Sequence, residues 1–184
     1  MWKSVQKRDR IIWKSGNPYE AGTDKTFSMD TLPQEYTAYG NGDYRINGLE
    51  TEQADGSDTA NLKYEFYEIS KGKYSLKGLP AMFAKEDEAE TLEIVLKDHA
   101  SGLRAHLLYG VFPQLDVITR AVRLENTGTA PVTVKKAMSM EMDYEYRELD
   151  AVHFYGKHNM ERQMGRTHLG HGLWKTETFL RPRK

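Results

Sequence analysis

Cysteine is absent from this chain of 184 residues. That removes disulfides, thiolate zinc sites and cysteine nucleophiles together. Long apolar runs are missing as well; no stretch approaches the roughly 20 residues that a helix needs to span a bilayer. No charged-then-apolar leader opens the chain, so no secretory signal is read and a cytoplasmic protein is expected. Neither sign of charge dominates, with 26 Lys and Arg against 27 Asp and Glu. A nucleic-acid binder carries a basic excess, and the short Arg181-Pro-Arg-Lys184 end does not supply one. Also missing are a Gly-x-Ser-x-Gly elbow, a kinase-like pattern and a dinucleotide fingerprint. No convincing helix pattern occurs; Thr26 to Gln34 offers a single turn, closed by Pro33.

What is present is alternation with period two, the mark of strands that bury one face. Leu62, Tyr64 and Phe66 fall on one side. Leu92, Ile94 and Leu96 do the same, with Thr91, Glu93 and Lys97 opposite. Leu103, Ala105, Leu107, Tyr109 and Val111 share a face, while Arg104 and His106 share the other. Ile118, Val122 and Leu124 lie together with Arg120 intruding between them. Val132 and Val134 start a strand that Met138 and Met140 are expected to continue. Turn chemistry separates these runs at Ala54-Asp-Gly-Ser57, His99-Ala-Ser-Gly102 and Glu125-Asn-Thr-Gly128. Pro131, after the last turn, cannot sit in a central strand. The segment Glu90 to Met142 therefore predicts three or four consecutive strands in an antiparallel meander, and the chain as a whole an all-β, antiparallel two-sheet sandwich. One domain is expected over residues 1–184, with an irregular segment over 1–35 and sandwich strands over 36–184.

Candidate sites are weak when read from the residues alone. Six histidines are present, and His168-Leu-Gly-His171 has a spacing that some zinc sites use. Nothing orders the remaining ligands of a closed site, so no metal is expected. Gly40-Asn-Gly-Asp-Tyr-Arg45 lacks the Gly-Lys-Ser/Thr ending and the helix of a phosphate loop, and reads as a turn in which Asp43 and Arg45 can pair. The acidic run Glu86-Asp-Glu-Ala-Glu90 reads as a solvated turn. Trp13, Tyr19 and Trp174 lie in irregular stretches, where rings can stack on sugars; aromatics also dominate cores. No pair of carboxylates stands out as catalytic.

Five segments in this order, Tyr39-Gly-Asn-Gly-Asp-Tyr-Arg45, Gly78-Leu-Pro-Ala-Met82, Glu88 to Asp98, Asp116 to Gly128 and Met160-Glu-Arg162, resemble the N-terminal β-sandwich of bacterial α-galactosidases of glycoside hydrolase family 36. The resemblance covers Trp2 to Gly172. It implies a parent enzyme that removes terminal α-linked galactose with retention, without cofactors. Both catalytic aspartates of such enzymes sit on a (β/α)8 barrel, which takes about 250 residues by itself. No catalytic residue is therefore expected in these 184 residues, and the chain alone is expected to be inert. The implied partners are that barrel, galactoside-type sugars through the parent enzyme and further copies in a homo-oligomer, a tetramer in the family. In tetrameric members the loop before a Thr-Phe-Ser-x-Asp-Thr-Leu segment reaches a neighbour's sugar pocket and carries an arginine just before the threonine. Here the segment is Thr26-Phe-Ser-Met-Asp-Thr-Leu32, so Asp24 and Lys25 become the candidate substrate contacts. Lysine keeps the charge and loses the planar fork. Members also begin with further strands, and their Arg-Arg-Gly-x-Ser-Ser-His segment is absent after Arg162. The resemblance thus implies a sandwich incomplete at both ends. The alternative expectation is a stand-alone sugar-binding or scaffold module.

Overall fold

The structure, a computed structural model, describes residues 34–40, 46–79, 82–143, 148–170 and 172–176. Eight strands and no helix occur among them. The chain divides into two compact units, Met1–Asp143 and Tyr144–Lys184. Each is described by itself.

In the first unit, β2 (Leu62–Lys71), β3 (Glu90–Asp98), β4 (Leu103–Phe112) and β5 (Val117–Asn126) form a four-stranded antiparallel sheet in chain order. Its last three strands belong to the meander expected from Glu90 onward, and the turn between β3 and β4 falls at the expected His99-Ala-Ser-Gly102. Asp98 accepts hydrogen bonds from the Ala100 amide (3.1 Å) and from the Ser101 hydroxyl (2.6 Å). Gly102 then takes a φ of 77°, a left-handed geometry that suits glycine. The β2 alternation breaks where the register shifts between Tyr64 and Phe66. Leu62 and Tyr64 therefore do not share a face with Phe66, a β-bulge that no local composition signal marked.

The fourth expected strand leaves the meander. β6 (Val132–Ala137) pairs antiparallel with β1 (Leu49–Gln53) in a second sheet. Pro131 stands where the chain crosses from one sheet to the other. The strand stops at Ala137, short of Met138 and Met140, and the Met138 amide donates to the Gly48 carbonyl instead (2.8 Å). Ala38 adds an isolated parallel bridge to Leu49.

The two sheets of this unit enclose the core. Tyr36, Ala38, Leu49 and Ala60 meet Leu62, Leu96, Leu103, Ala105 and Leu107 in one buried cluster. These residues come from the small sheet and its approach on one side and from the meander on the other. This is the all-β sandwich. β4 is central, so it is covered on both faces: Leu107 is fully buried inside, and His106, Leu108 and Phe112 are buried on the opposite face. Part of that cover is the connection after β2. The Thr91 hydroxyl donates to the Gly72 carbonyl and accepts from the Tyr74 amide, both at 2.8 Å. Further along, the connection encloses an open cavity of about 510 Å³ between Lys73 and Ala84, rimmed by Leu79, Met82 and Phe83.

The second unit is a hairpin of β7 (Leu149–Lys157) and β8 (Met160–Leu169). His158 and Asn159 make its loop, with Asn159 at a φ of 66°, which Asn tolerates better than most residues. The sequence reading placed strands generally over 36–184 without resolving this hairpin.

Candidate functional site

Strand alternation forces Arg120 onto the inner face of β5, between Ile118 and Val122. Its cross-strand neighbour on β4 is Tyr109. The guanidinium carbon lies 3.9 Å from the centre of the Tyr109 ring, a cation–π contact. The side chain is only 5% exposed, and Nη2 donates to Glu35 Oε1 at 3.4 Å. Arg120 Nη1 and the Tyr109 hydroxyl are buried without a hydrogen-bond partner among the described residues. Burial pulls the Arg120 pKa down while Glu35 and Glu141 push it back up. Arginine stays charged throughout the working range. Burial pushes Glu35 above the usual carboxylate range; the Arg120 charge opposes this, and Glu141 and Asp143 add to it.

Around this cation the segment Gln34–Thr37 is tied down at every residue. The Gln34 amide donates to Asp143 Oδ2 at 2.8 Å. Glu35 pairs with Arg120. The Tyr36 hydroxyl donates to the carbonyls of Met138 (2.9 Å) and Gly48 (3.2 Å). Burial and the Glu141 charge raise that phenol to about 12. Thr37 gives Glu141 both its amide (2.8 Å) and its hydroxyl (2.9 Å to each carboxylate oxygen). The Thr37 hydroxyl also accepts from the Gly48 amide at 2.9 Å. Glu35, Glu141, Asp143 and Arg120 thus tie residues 34–37 to β5 and to the chain that follows β6, and each of the three carboxylates has a structural partner.

A second polar cluster lies on the outer face of the meander. His106 Nδ1 sits 2.5 Å from Glu93 Oε1 and Nε2 sits 3.0 Å from Glu125 Oε2. Arg123 Nη2 reaches the same Glu93 oxygen at 2.9 Å. Next to it Arg104 grips Glu65 through two bonds of 2.8 and 2.9 Å. These groups bind one another across neighbouring strands, with His106 buried and Glu125 and Arg123 reaching solvent, a cross-strand pairing at the edge of the covered face.

On the hairpin, Asp150 takes hydrogen bonds from Arg166 and, at 3.1 Å, pairs with His168 Nδ1. Trp174 packs 5.3 Å from the His153 ring, which lies 5.9 Å from Tyr155. Trp174 is 39% exposed and Tyr155 59%, so this trio presents ring surface to solvent.

Several sequence candidates, namely Trp13, Tyr19, Asp24, Lys25, Asp43, Arg45 and His171, lie outside the described residues. Glu88 turns back to the Lys85 amide (2.9 Å), in keeping with a solvated turn at the acidic run. Among the described residues, no group of three or more His, Asp or Glu side chains is arranged to hold a metal ion. No described helix is long and apolar enough to cross a membrane. The sequence flagged Arg120 as an intruder but could not name its partners. Glu35 is 85 residues away, and Glu141 lies 104 residues from Thr37.

A profile of the glycosyl hydrolase family 36 N-terminal domain matches residues 5–180. The bifunctional alpha-galactosidase/sucrose kinase AgaSK of Mediterraneibacter gnavus is 53% identical over 158 residues, which are 86% of this chain and 17% of that protein. Alpha-galactosidase AgaA of Geobacillus stearothermophilus is 40% identical over 177 residues, 96% of this chain and 24% of that protein. The solved galactosidase domain of AgaSK superposes with a TM-score of 0.79 at 53% identity, over 86% of this chain and 22% of that one. A doubly substituted variant of AgaA in complex with raffinose superposes with a TM-score of 0.78 at 40% identity, over 86% of this chain and 22% of that one. The chain thus spans about a fifth of the length of these relatives. With a profile covering nearly all of it and an antiparallel sandwich that superposes on solved members, the chain belongs to the N-terminal domain family of glycosyl hydrolase family 36.

Proposed function

We propose that this chain serves as the N-terminal β-sandwich of a cytoplasmic α-galactosidase and carries no catalysis of its own. In that role it packs on a catalytic (β/α)8 barrel, takes part in subunit contacts of a homo-oligomer, and shapes a neighbouring subunit's galactoside pocket through Asp24 and Lys25. The observation that carries this reading is the family profile over residues 5–180, joined to 53% identity with an α-galactosidase. The binding of raffinose by a relative is in keeping with it. The absence of cysteine fits a reducing compartment. The test is a chimera in which this chain replaces the matched segment of AgaSK. The expected result is hydrolysis of a chromogenic α-galactoside by the chimera and none by the chain alone. Cleavage by the purified chain at a rate that mutation abolishes would overturn the reading.

One observation favours a second role. The exposed Trp174 and Tyr155 rings, each in contact with the half-buried His153 ring, form a short aromatic platform of the kind sugars stack on. A stand-alone sugar-binding module would then show saturable binding of raffinose in calorimetry. No heat at millimolar sugar, or unchanged heat in Trp174→Ala, removes this alternative.

A further inference from the structure

We infer that two copies of this chain associate through the outer edge of β2, strand against strand. The register is antiparallel and places Lys63 opposite Glu68, and Tyr64 opposite Tyr67, of the second copy. The inference concerns the chain by itself and uses nothing of a parent enzyme.

β2 is an outer strand of its sheet, bonded to β3 and to no second neighbour among the described residues. Such an edge presents a row of unpaired amides and carbonyls to any strand that fits it. β2 is ten residues long and contains neither proline nor glycine. Tyr64 and Tyr67 are each 60% exposed and Ile69 62%. Charges and bulges ordinarily guard an edge against pairing. Here both are laid out about one centre. Glu65 is the extra residue of the register shift, so Tyr64 stands opposite Leu96 and Tyr67 opposite Ile94. The shift thereby brings Leu62, Tyr64, Tyr67 and Ile69 to one face, and Lys63, Phe66 and Glu68 to the other. Outward from Glu65–Phe66 the strand then repeats itself in mirror order: Tyr64 with Tyr67, Lys63 with Glu68, Leu62 with Ile69. A second copy turned about a two-fold axis at that centre meets every residue with its mate on the same face, twice over. Aromatic pairs and opposite charges are the cross-strand contacts that stabilise antiparallel neighbours.

The charges favour a second copy over the sheet itself. Within the sheet Lys63 stands opposite Lys97 and Glu68 opposite Glu93, and like charges so placed repel. Lys97 turns to Glu65 (3.7 Å) and Glu93 to Arg123 (2.9 Å). Lys63 and Glu68 are exposed, and among the described residues neither has an opposite charge in contact. The inferred register supplies each with one. Glu65, which meets Phe66 of the second copy, already has Arg104 and Lys97 as counter-charges.

The test is sedimentation velocity on the full chain from about 1 to 500 µM, with Lys63→Glu, Glu68→Lys and the double exchange Lys63→Glu/Glu68→Lys. The unaltered chain should sediment as a dimer at the upper end. Either single exchange sets like charges opposite each other twice in the dimer and should raise Kd about tenfold or more. Each also removes a like-charge neighbour within the sheet, so Tm should stay or rise, which separates a lost interface from a lost fold. The double exchange should return Kd to within about threefold of the unaltered chain. An unaltered chain that stays monomeric throughout, single exchanges without effect, or a double exchange that associates no better than the singles overturns the inference. Because the chain lacks cysteine, the register can be read independently. Under oxidation, Tyr64→Cys mixed with Tyr67→Cys should form about tenfold more covalent dimer than either variant alone, since directly opposed residues lie within disulfide reach. Equal yields overturn the register. None of these outcomes bears on the parent-enzyme reading, which stands or falls with the chimera.

Discussion

The sandwich and the hairpin use the same backbone pairing and differ in what lies on either side of it. β4 is flanked by two strands and covered on both faces, so Leu107 is 0% exposed. β7 has one partner strand, and its Phe154 is 67% exposed with Met164 beside it at 65%. Ladder hydrogen bonds replace bonds to water and yield only about 1 kcal/mol each. Burial of apolar surface adds about 25 cal/mol per Å², and the hairpin's described strands have little of it. An isolated two-stranded ribbon is marginal in water, whereas several strands with an apolar face stand alone. Identical local geometry thus predicts unequal stability.

Core truncation is the most forceful way to break this comparison. Leu107→Ala should lower the unfolding free energy by about 2–5 kcal/mol, read from the urea midpoint at unaltered m-value. Phe154→Thr on the hairpin should move the same midpoint by less than about 0.5 kcal/mol. Equal losses at the two sites would mean that the hairpin's apolar face is as important to folding as the core.

A pair of glycines sharpens the contrast. A Cβ on Gly102 would meet the Gly128 backbone nitrogen at 2.7 Å, and the φ of 77° is itself unfavourable for alanine. Neither problem can be relieved by turning a side chain. A Cβ on Gly165 would meet the His153 ring first, at 2.5 Å, and a side-chain ring can turn where backbone cannot. Gly102→Ala should therefore cost about 1–3 kcal/mol, and Gly165→Ala well under that. Thermal melts of both variants measure it; a reversal of the order would show that the His153 ring is held in place.

The division between legible and illegible features follows chain distance. Strands β3 to β5 are readable because they are consecutive, their alternation is local and the β3–β4 turn carries Asp98, Ser101 and Gly102, the glycine where φ demands it. The bulge at Tyr64–Phe66 was not, since a register shift depends on the partner strand. Nor was the departure of β6, whose pairing with β1 spans much of the chain. Arg120 was visible as a cation on an apolar face. Its meaning lies in Glu35 and in the tethers of Thr37, which no window of sequence brings together. Asp24 and Lys25 came from family resemblance alone, because a two-residue polar stretch in a loop carries no physical signal of its own.

The smallest effect tests whether the hairpin's stability depends on its charges. Arg166 and His168 hold the Asp150 carboxyl below its ordinary value of 3.8. On the sandwich, Arg104 and then Lys97 do the same for Glu65, below 4.5. A carboxyl held low in the folded state stabilises it above the unfolded pKa and loses that contribution as pH falls through the folded value. Both groups are solvated, so salt screens both and each contribution is small. What differs is the reserve behind them. Loss of the Glu65 charge leaves a four-stranded sheet with a buried core, whereas loss of the Asp150 charge leaves, among the described residues, the β7–β8 ladder and the ring contacts of His153 with Tyr155 and Trp174. Acidification below about pH 4 should therefore narrow the NMR amide dispersion of residues 149–169 more than that of β4. Asp150→Asn, which never carries the charge, should show the loosened ribbon already at neutral pH and no further acid step. An unaltered acid transition in Asp150→Asn would assign the hairpin's order to its aromatic contacts instead.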